Sequence, residues 1–191
     1  MPMFERTELM IGAEKLECLK ASHVLVVGLG GVGAYAAEML CRAGVGKLTL
    51  IDSDKVSRSN KNRQLLALDS TEGKLKTEVL AERLKDINKD VELVCLSEYL
   101  KDERMLEVLK ETKYDYVIDA IDTLSPKLYL IAHCVKLSIP VVSSMGSGGK
   151  LNPSLVQVAD ISQSYKCRNY LLYACNFWLL CRKRCYKGFD W

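Results

Sequence analysis

The chain reads as an α/β protein, a doubly wound and mostly parallel sheet with helices on both faces. Three observations predict it. Short runs rich in Val, Leu and Ile alternate with longer stretches whose apolar residues recur at helical spacing. Glycine clusters follow the first and the fifth of those runs, at 28–33 and 146–149. Acidic residues, Asp52 and Asp122, stand where the second and fourth runs end. Strands separated by helices require right-handed crossovers, which cover both faces of a parallel sheet. Ligands then bind beyond the carboxyl ends of the strands, where Gly28, Asp52, Asp122 and Gly146 all fall.

Each element follows from its residues. In TELMIGAEKLECLK, 7–20, Leu9, Ile11, Leu16 and Leu19 are spaced as on a helix, with Arg6 just ahead of it. The apolar run from His23 makes 23–28 the first strand, and the Ala-rich stretch after the glycines is a helix to about Arg42, stopped by Gly44 and Gly46. KLTLID, 47–52, is the second strand, with Asp52 at its carboxyl end, and the polar SDKVSRSNKNRQ, 53–64, is a loop. Residues 74–88 form an amphipathic helix, VELVCL (91–96) the third strand and 101–112 a charged surface helix. YDYVIDAID, 114–122, is the fourth strand, ending in two acids and closed by Asp122. Pro126 suits a first helical turn, so 127–138 are helical. IPVVSS (139–144) is a fifth strand, MGSGGKLNPS (145–154) a glycine-rich loop and LVQVAD (155–160) a sixth strand.

At 191 residues, 49% hydrophobic and 27% charged, the chain is long enough for one sizeable core and has an ordinary globular composition. No run approaches the roughly 18–20 apolar residues of a membrane span, and MPMFERTELM lacks the apolar centre of a signal peptide. The expectation is a cytoplasmic protein with no transmembrane segment. The net charge of +3 is uneven: residues 166–191 carry +5, and residues 1–165 carry −2. The body is therefore not a nucleic-acid binder by charge alone. Of eight cysteines, Cys18, Cys41, Cys95 and Cys134 sit singly in apolar contexts, where core packing is expected, and four crowd into the tail. Residues 1–165 read as one domain and 166–191 as an atypical tail rich in Cys, aromatic and basic residues.

Strand, glycine turn and helix together present free backbone N–H groups and a positive helix end to a phosphate. The cluster Gly28, Gly30, Gly31 and Gly33 fits a dinucleotide dehydrogenase as well as an ATP user, and Asp52, placed for a ribose hydroxyl, serves both. The structural alternative is that the glycines only permit tight strand–helix packing. Residues downstream separate these readings. Asn60 and Arg63 stand in the loop after the second strand, Lys76 begins a helix, and Asp122 closes the fourth strand. Hydride transfer has no use for that set. Attack on the α-phosphate of ATP does: Arg63 offers forked contacts to phosphate oxygens and Lys76 a point charge. Asp122 offers a hard oxygen ligand for Mg²⁺, and Arg6 a further cation. Asp54, in the same run as Asp52, joins the nucleotide-binding candidates. Solvated surface charge for Arg63 and Lys76, and a helix-capping role for Asp122, are the structural alternatives. His23 and His133 are read as structural.

GLGGVG, the run LTLIDSDKV followed by SN and NRQ, GKLK and IDAID resemble the ThiF/MoeB/HesA family of E1-like adenylating enzymes. RTELMIG and SMGSGGKLNP are most similar to its branch that dehydrates threonylcarbamoyladenosine in tRNA. The resemblance covers about residues 5–167. It implies a Rossmann-like fold and ATP contacts from Gly30, Asp52, Asn60, Arg63 and Lys76. It also implies Mg²⁺ at Asp122 and Arg6 reaching into the neighbouring subunit of a homodimer. The implied reaction is adenylation of the threonylcarbamoyladenosine carboxylate at tRNA position 37, followed by a cyclising dehydration. Adenylation of the C-terminal Gly of a ubiquitin-like sulfur carrier, with a sulfur-relay partner protein, stays open beside it. So do an NAD-dependent oxidoreductase and an inactive nucleotide-binding protein.

The chain departs from the family in two places. The sulfur-carrier branch carries two C-x-x-C pairs for structural zinc; here Cys181 and Cys185 are the nearest approach, and they make a poor tetrahedral site. After Cys167 the sequence RNYLLYACNFWLLCRKRCYKGFDW leaves the family pattern. The expectation is a frame-shifted or prematurely ended coding sequence. The alternative is a divergent tail with an apolar face and a basic end that docks on the body, a membrane surface or tRNA.

Overall fold

The computed structural model describes residues 3–146 and, beyond them, 152, 154, 156, 158 and 160. Five strands, β1 (His23–Val27), β2 (Lys47–Ile51), β3 (Glu92–Leu96), β4 (Tyr116–Asp119) and β5 (Val141–Ser143), form one sheet in the order β3-β2-β1-β4-β5. Every pairing is parallel. The order reverses at β1, as expected for a doubly wound sheet, and this opens the crevice between β1 and β4.

β1 is central, and all five of its residues are buried. Successive strand side chains point to opposite faces. Val24 and Val26 therefore enter one core with Ala34, Ala37, Leu40 and Cys41 of helix α3 (Gly33–Ala43) and Leu80 and Leu84 of α4 (Lys76–Ile87). Leu25 and Val27 enter a second core on the opposite face. Its partners are Met105 and Val108 of α5 (Asp102–Glu111) and Leu130 and Cys134 of α6 (Leu124–Lys136). Each such fully buried aliphatic side chain contributes about 1.5–3 kcal/mol, so the sheet is held from both sides. Gly44, at φ 102°, ends α3 in the left-handed conformation as expected.

The structure corrects several sequence expectations. The first helix is two, α1 (Glu5–Ile11) and α2 (Ala13–Lys20), broken at Gly12, where φ 84° and ψ 157° leave the helical region. Arg6 lies in the first turn of α1, not ahead of it. α2 enters the core through Leu16 and Leu19; α1 buries no residue fully and packs on the core only through the half-buried Ile11, and Leu9 is 82% exposed. α5 is charged outside but buries Met105, Val108 and Leu109. β4 ends at Asp119, three residues before Asp122, because the Asp119 carboxylate takes the Ile121 N–H and turns the chain. α6 starts at Leu124 rather than 127, which puts Pro126 inside its first turn. Cys41 and Cys134 are buried, and desolvation pushes their thiols up to about 11 and about 12. Cys18 is half-buried, whereas Cys95, on β3, which among the described residues pairs with β2 alone, is exposed rather than in the core. Only alternate residues of the expected sixth strand are described, and the tail with its four cysteines lies outside the described residues. Among the described residues no helix is long and apolar enough to cross a membrane.

Candidate functional site

The glycine turn divides by role. Its N–H closing the ladder on Ile51, Gly28 leaves β1 at φ 88°, and a Cβ there would stand 2.7 Å from the Ala120 carbonyl oxygen. A Cβ on Gly33 would stand 1.8 Å from the Gly28 carbonyl oxygen. These two glycines let the turn, the end of β4 and the start of α3 meet. A Cβ on Gly30 would meet nothing nearer than Gln64 Nε2 at 3.8 Å, and one on Gly31 would lie 3.2 Å from the Arg63 carbonyl oxygen. Gly30, Gly31 and Val32 face a cavity, and α3 begins there with no side-chain cap. An uncapped helix start on a cavity wall suits an anion.

Asp52 follows β2 directly. Its Oδ2 accepts the Leu29 N–H at 2.6 Å and its Oδ1 the Asp54 N–H at 2.8 Å, so one carboxylate ties the glycine turn to the loop after β2. A carboxylate has about four acceptor directions, which leaves room for a ribose hydroxyl. Lys76, the first residue of α4, is 4% exposed, which rules out a solvated surface lysine. Its Nζ lies 2.7 Å from Asp54 Oδ2 and 3.7 Å from Asp52 Oδ2. Arg63 is exposed, and its Nη1 donates to the Ser59 carbonyl at 3.1 Å and to Asn62 Oδ1 at 2.9 Å. Asn60 Oδ1 accepts the Ser57 N–H at 3.2 Å, which shapes the turn carrying Arg63. Asp122 is exposed in the loop between β4 and α6. Thr123, not Asp122, occupies the N-cap position of α6, so capping does not account for the acid.

The cavity has a volume of about 540 Å³, within the roughly 300–1,000 Å³ of small-molecule sites. Gly28, Gly30, Gly31, Asp52, Asp54, Asn60, Arg63, Lys76 and Asp122 all line it. Gly33 and Arg6 do not; Gly33 serves packing, and Arg6 is exposed on α1. Neither His23 nor His133 lines it. His23 is buried, 2.8 Å from Thr49 Oγ1 and against Tyr114; burial, then the Lys47 charge, hold its pKa below the usual value. His133 stacks on Tyr129.

Sequence reasoning missed two parts of the wall and one support beneath it. Glu98, Tyr99 and Leu100 follow β3, with Glu98 held by the Arg104 guanidinium at 2.9–3.1 Å. Ser144 and Met145 join Gly146 after β5. Beneath both β4 and β5, Asp119 and Lys127 form a buried ion pair at 2.7 Å. The available signal was position, since all of these residues except Lys127 lie at or just past a strand's carboxyl end.

The residues present fit a nucleoside triphosphate: an open glycine, a bare helix start, a buried lysine and an exposed arginine surround one space. Among the described residues no group of three or more His, Cys, Asp or Glu gathers to hold a metal. Asp122 supplies one carboxylate, which suits a Mg²⁺ that takes its other oxygens from phosphates and water.

The ThiF family description matches residues 4–176. The chain is 46% identical over 162 residues to a tRNA threonylcarbamoyladenosine dehydratase of Bacillus subtilis, covering 85% of this chain and 63% of that protein. It is 36% identical over 155 residues to the molybdopterin-synthase adenylyltransferase of Escherichia coli, covering 81% and 61%. Among solved structures it is similar to the E. coli tRNA N6-threonylcarbamoyladenosine dehydratase in complex with ATP. The TM-score is 0.82 at 36% identity, over 95% of this chain and 73% of that one. The chain spans about three fifths of the length of the curated dehydratases it matches.

Proposed function

The chain belongs to the ThiF family, and on that premise we propose that it is an ATP-dependent adenylating enzyme acting on threonylcarbamoyladenosine in tRNA. One observation carries the reading: Asn60, Arg63, Lys76 and Asp122, from three separate segments, meet on the glycine-turn cavity. Similarity to dehydratases at 46% identity supports the tRNA substrate.

In this reading the triphosphate lies along Gly30, Gly31 and the start of α3. Arg63 and Lys76 neutralise phosphate charge, and Lys76 exchanges its ion pair with Asp54 for a phosphate oxygen. Asp52 takes a ribose hydroxyl while it continues to brace the turn. Asp122, with the phosphates, would hold Mg²⁺, which supplies further charge neutralisation. The substrate carboxylate oxygen attacks the α-phosphorus, the bond from that phosphorus to the bridging oxygen breaks, and pyrophosphate leaves. A nucleophile within the modified base then attacks the activated acyl carbon, and AMP leaves. The net result is loss of water from the base and cleavage of ATP. Ring closure within one molecule needs positioning more than a protein nucleophile. Charge placed in advance at the phosphates supplies most of the remaining stabilisation.

The same reading makes the enzyme a cytoplasmic homodimer whose partner subunit supplies the arginine at position 6; within one chain Arg6 is off the cavity. A second reading, adenylation of the C-terminal Gly of a ubiquitin-like sulfur carrier with a sulfur-relay partner, is favoured by the 36% identity to a molybdopterin-synthase adenylyltransferase. ATP–pyrophosphate exchange tests both. Exchange driven by tRNA carrying uncyclised threonylcarbamoyladenosine supports the first reading. Exchange driven only by a carrier protein replaces it with the second. ATP binding with no exchange identifies an inactive nucleotide-binding protein.

A further inference from the structure

Lys127 sits in the first turn of α6 and is 4% exposed. Its ammonium has three protons and finds three acceptors: Asp119 Oδ2 at 2.7 Å, the Ser144 carbonyl at 2.9 Å and Ser143 Oγ at 3.1 Å. Ser143 Oγ in turn donates to Asp119 Oδ2 at 2.5 Å. Asp119 Oδ1 accepts the Ile121 N–H at 3.0 Å, and the Asp119 carbonyl accepts the Ser144 N–H at 2.8 Å. Asp119 is 0% exposed. Among the described residues no buried side-chain polar atom is left without a partner.

A buried ion pair is weak evidence of stabilisation, since well-packed apolar residues often serve as well. Its place is more informative. The pair lies where β4 and β5 end and both segments turn to line the cavity, one as Ala120–Asp122 and the other as Ser144–Gly146. One ammonium holds both segments: the first through Asp119 and the Ile121 amide, one residue before Asp122, and the second through the Ser144 carbonyl. We propose that Lys127 is a positioning residue that sets the location of Asp122 in the nucleotide site through its buried contacts with Asp119 and Ser144. The inference rests on the reading that Asp122 meets the Mg²⁺ of bound ATP.

The test is calorimetric titration of the whole chain with ATP, with and without Mg²⁺. Lys127→Met alone would strand a buried carboxylate, so the variant is the neutral pair Asp119→Asn with Lys127→Met. It is expected to fold, to bind Mg²⁺-free ATP within about twofold of the parent and to lose about tenfold of the affinity that Mg²⁺ adds, as for other residues that orient a metal ligand. A folded double variant with the parent's full Mg²⁺ enhancement overturns the inference and leaves the proposed function standing. A parent chain whose ATP affinity ignores Mg²⁺ overturns the role of Asp122 and this inference with it. If the double variant does not fold, Lys127→Arg, which keeps the charge but not the compact ammonium that bonds Asp119 and the Ser144 carbonyl together, is measured in the same way. A two- to threefold loss of the enhancement is then expected, and no loss overturns the inference.

Discussion

Alanine at Gly33 and alanine at Gly30 lie three residues apart and are expected to fail in opposite ways. A methyl at 33 would stand 1.8 Å from the Gly28 carbonyl oxygen, where side-chain carbons essentially never come nearer than 3.0 Å. The start of α3 must therefore move about 1.2 Å away from the end of β1, out of a close-packed interior. Overpacking of this size costs about 3 kcal/mol. For a domain of this size, at about 2–4 °C per kcal/mol, Gly33→Ala should melt about 6–12 °C below the parent. A methyl at 30 meets only a side-chain nitrogen at 3.8 Å, so Gly30→Ala should keep its stability within about 0.5 kcal/mol. The same methyl projects into the cavity, where the proposed site puts a phosphate against the backbone, so ATP affinity should fall at least about tenfold, equivalent to about 1.4 kcal/mol. Thermal melting and calorimetric ATP titration of both variants measure the two effects. A Gly33→Ala protein that melts within about 2 °C of the parent would refute the packing argument. A Gly30→Ala protein with unchanged ATP affinity would refute the phosphate path.

Asp122→Ala should leave stability within about 0.5 kcal/mol, because the side chain is exposed, and should abolish Mg²⁺-dependent ATP–pyrophosphate exchange; retained exchange removes the metal role. Arg6→Ala and Asp122→Ala chains, each inactive alone, should recover exchange when mixed if Arg6 serves the neighbouring subunit's site, and no recovery places Arg6 elsewhere. His23 has a folded pKa below its ordinary 6.5, chiefly through burial. Below pH 6.5 the unfolded chain takes up a proton that the fold refuses, so this contribution is complete above that pH and is lost as the pH falls to the folded value. Urea unfolding between pH 7.5 and 5.5 should show that loss, and His23→Asn should flatten it; parallel profiles would exclude His23 as the cause.

Most of the sheet was legible in the sequence because a parallel strand buried on both faces leaves a near-continuous apolar run, as in HVLVV and KLTLI. Boundaries were less so. The end of β4 was misplaced because YDYVIDAID stays apolar past Asp119, and the turn there depends on a side chain bonding its own backbone. The break at Gly12 was hidden because single glycines occur within helical patterns, and only the positive φ shows this one ending a helix.

The sequence by itself determined the α/β class, the position of the glycine turn and part of the cavity wall, from Gly28 to Asp122, because strand period, glycine spacing and charge type are local properties. Only the tertiary structure decided which glycine serves packing and which faces the cavity, because that depends on what a Cβ would meet across the fold. It also decided that Lys76 is buried beside Asp54, that Arg6 stands off the cavity of its own chain, and that Lys127 joins two wall segments from beneath. Those facts depend on distances across the fold between separate elements, and no spacing along the chain encodes them.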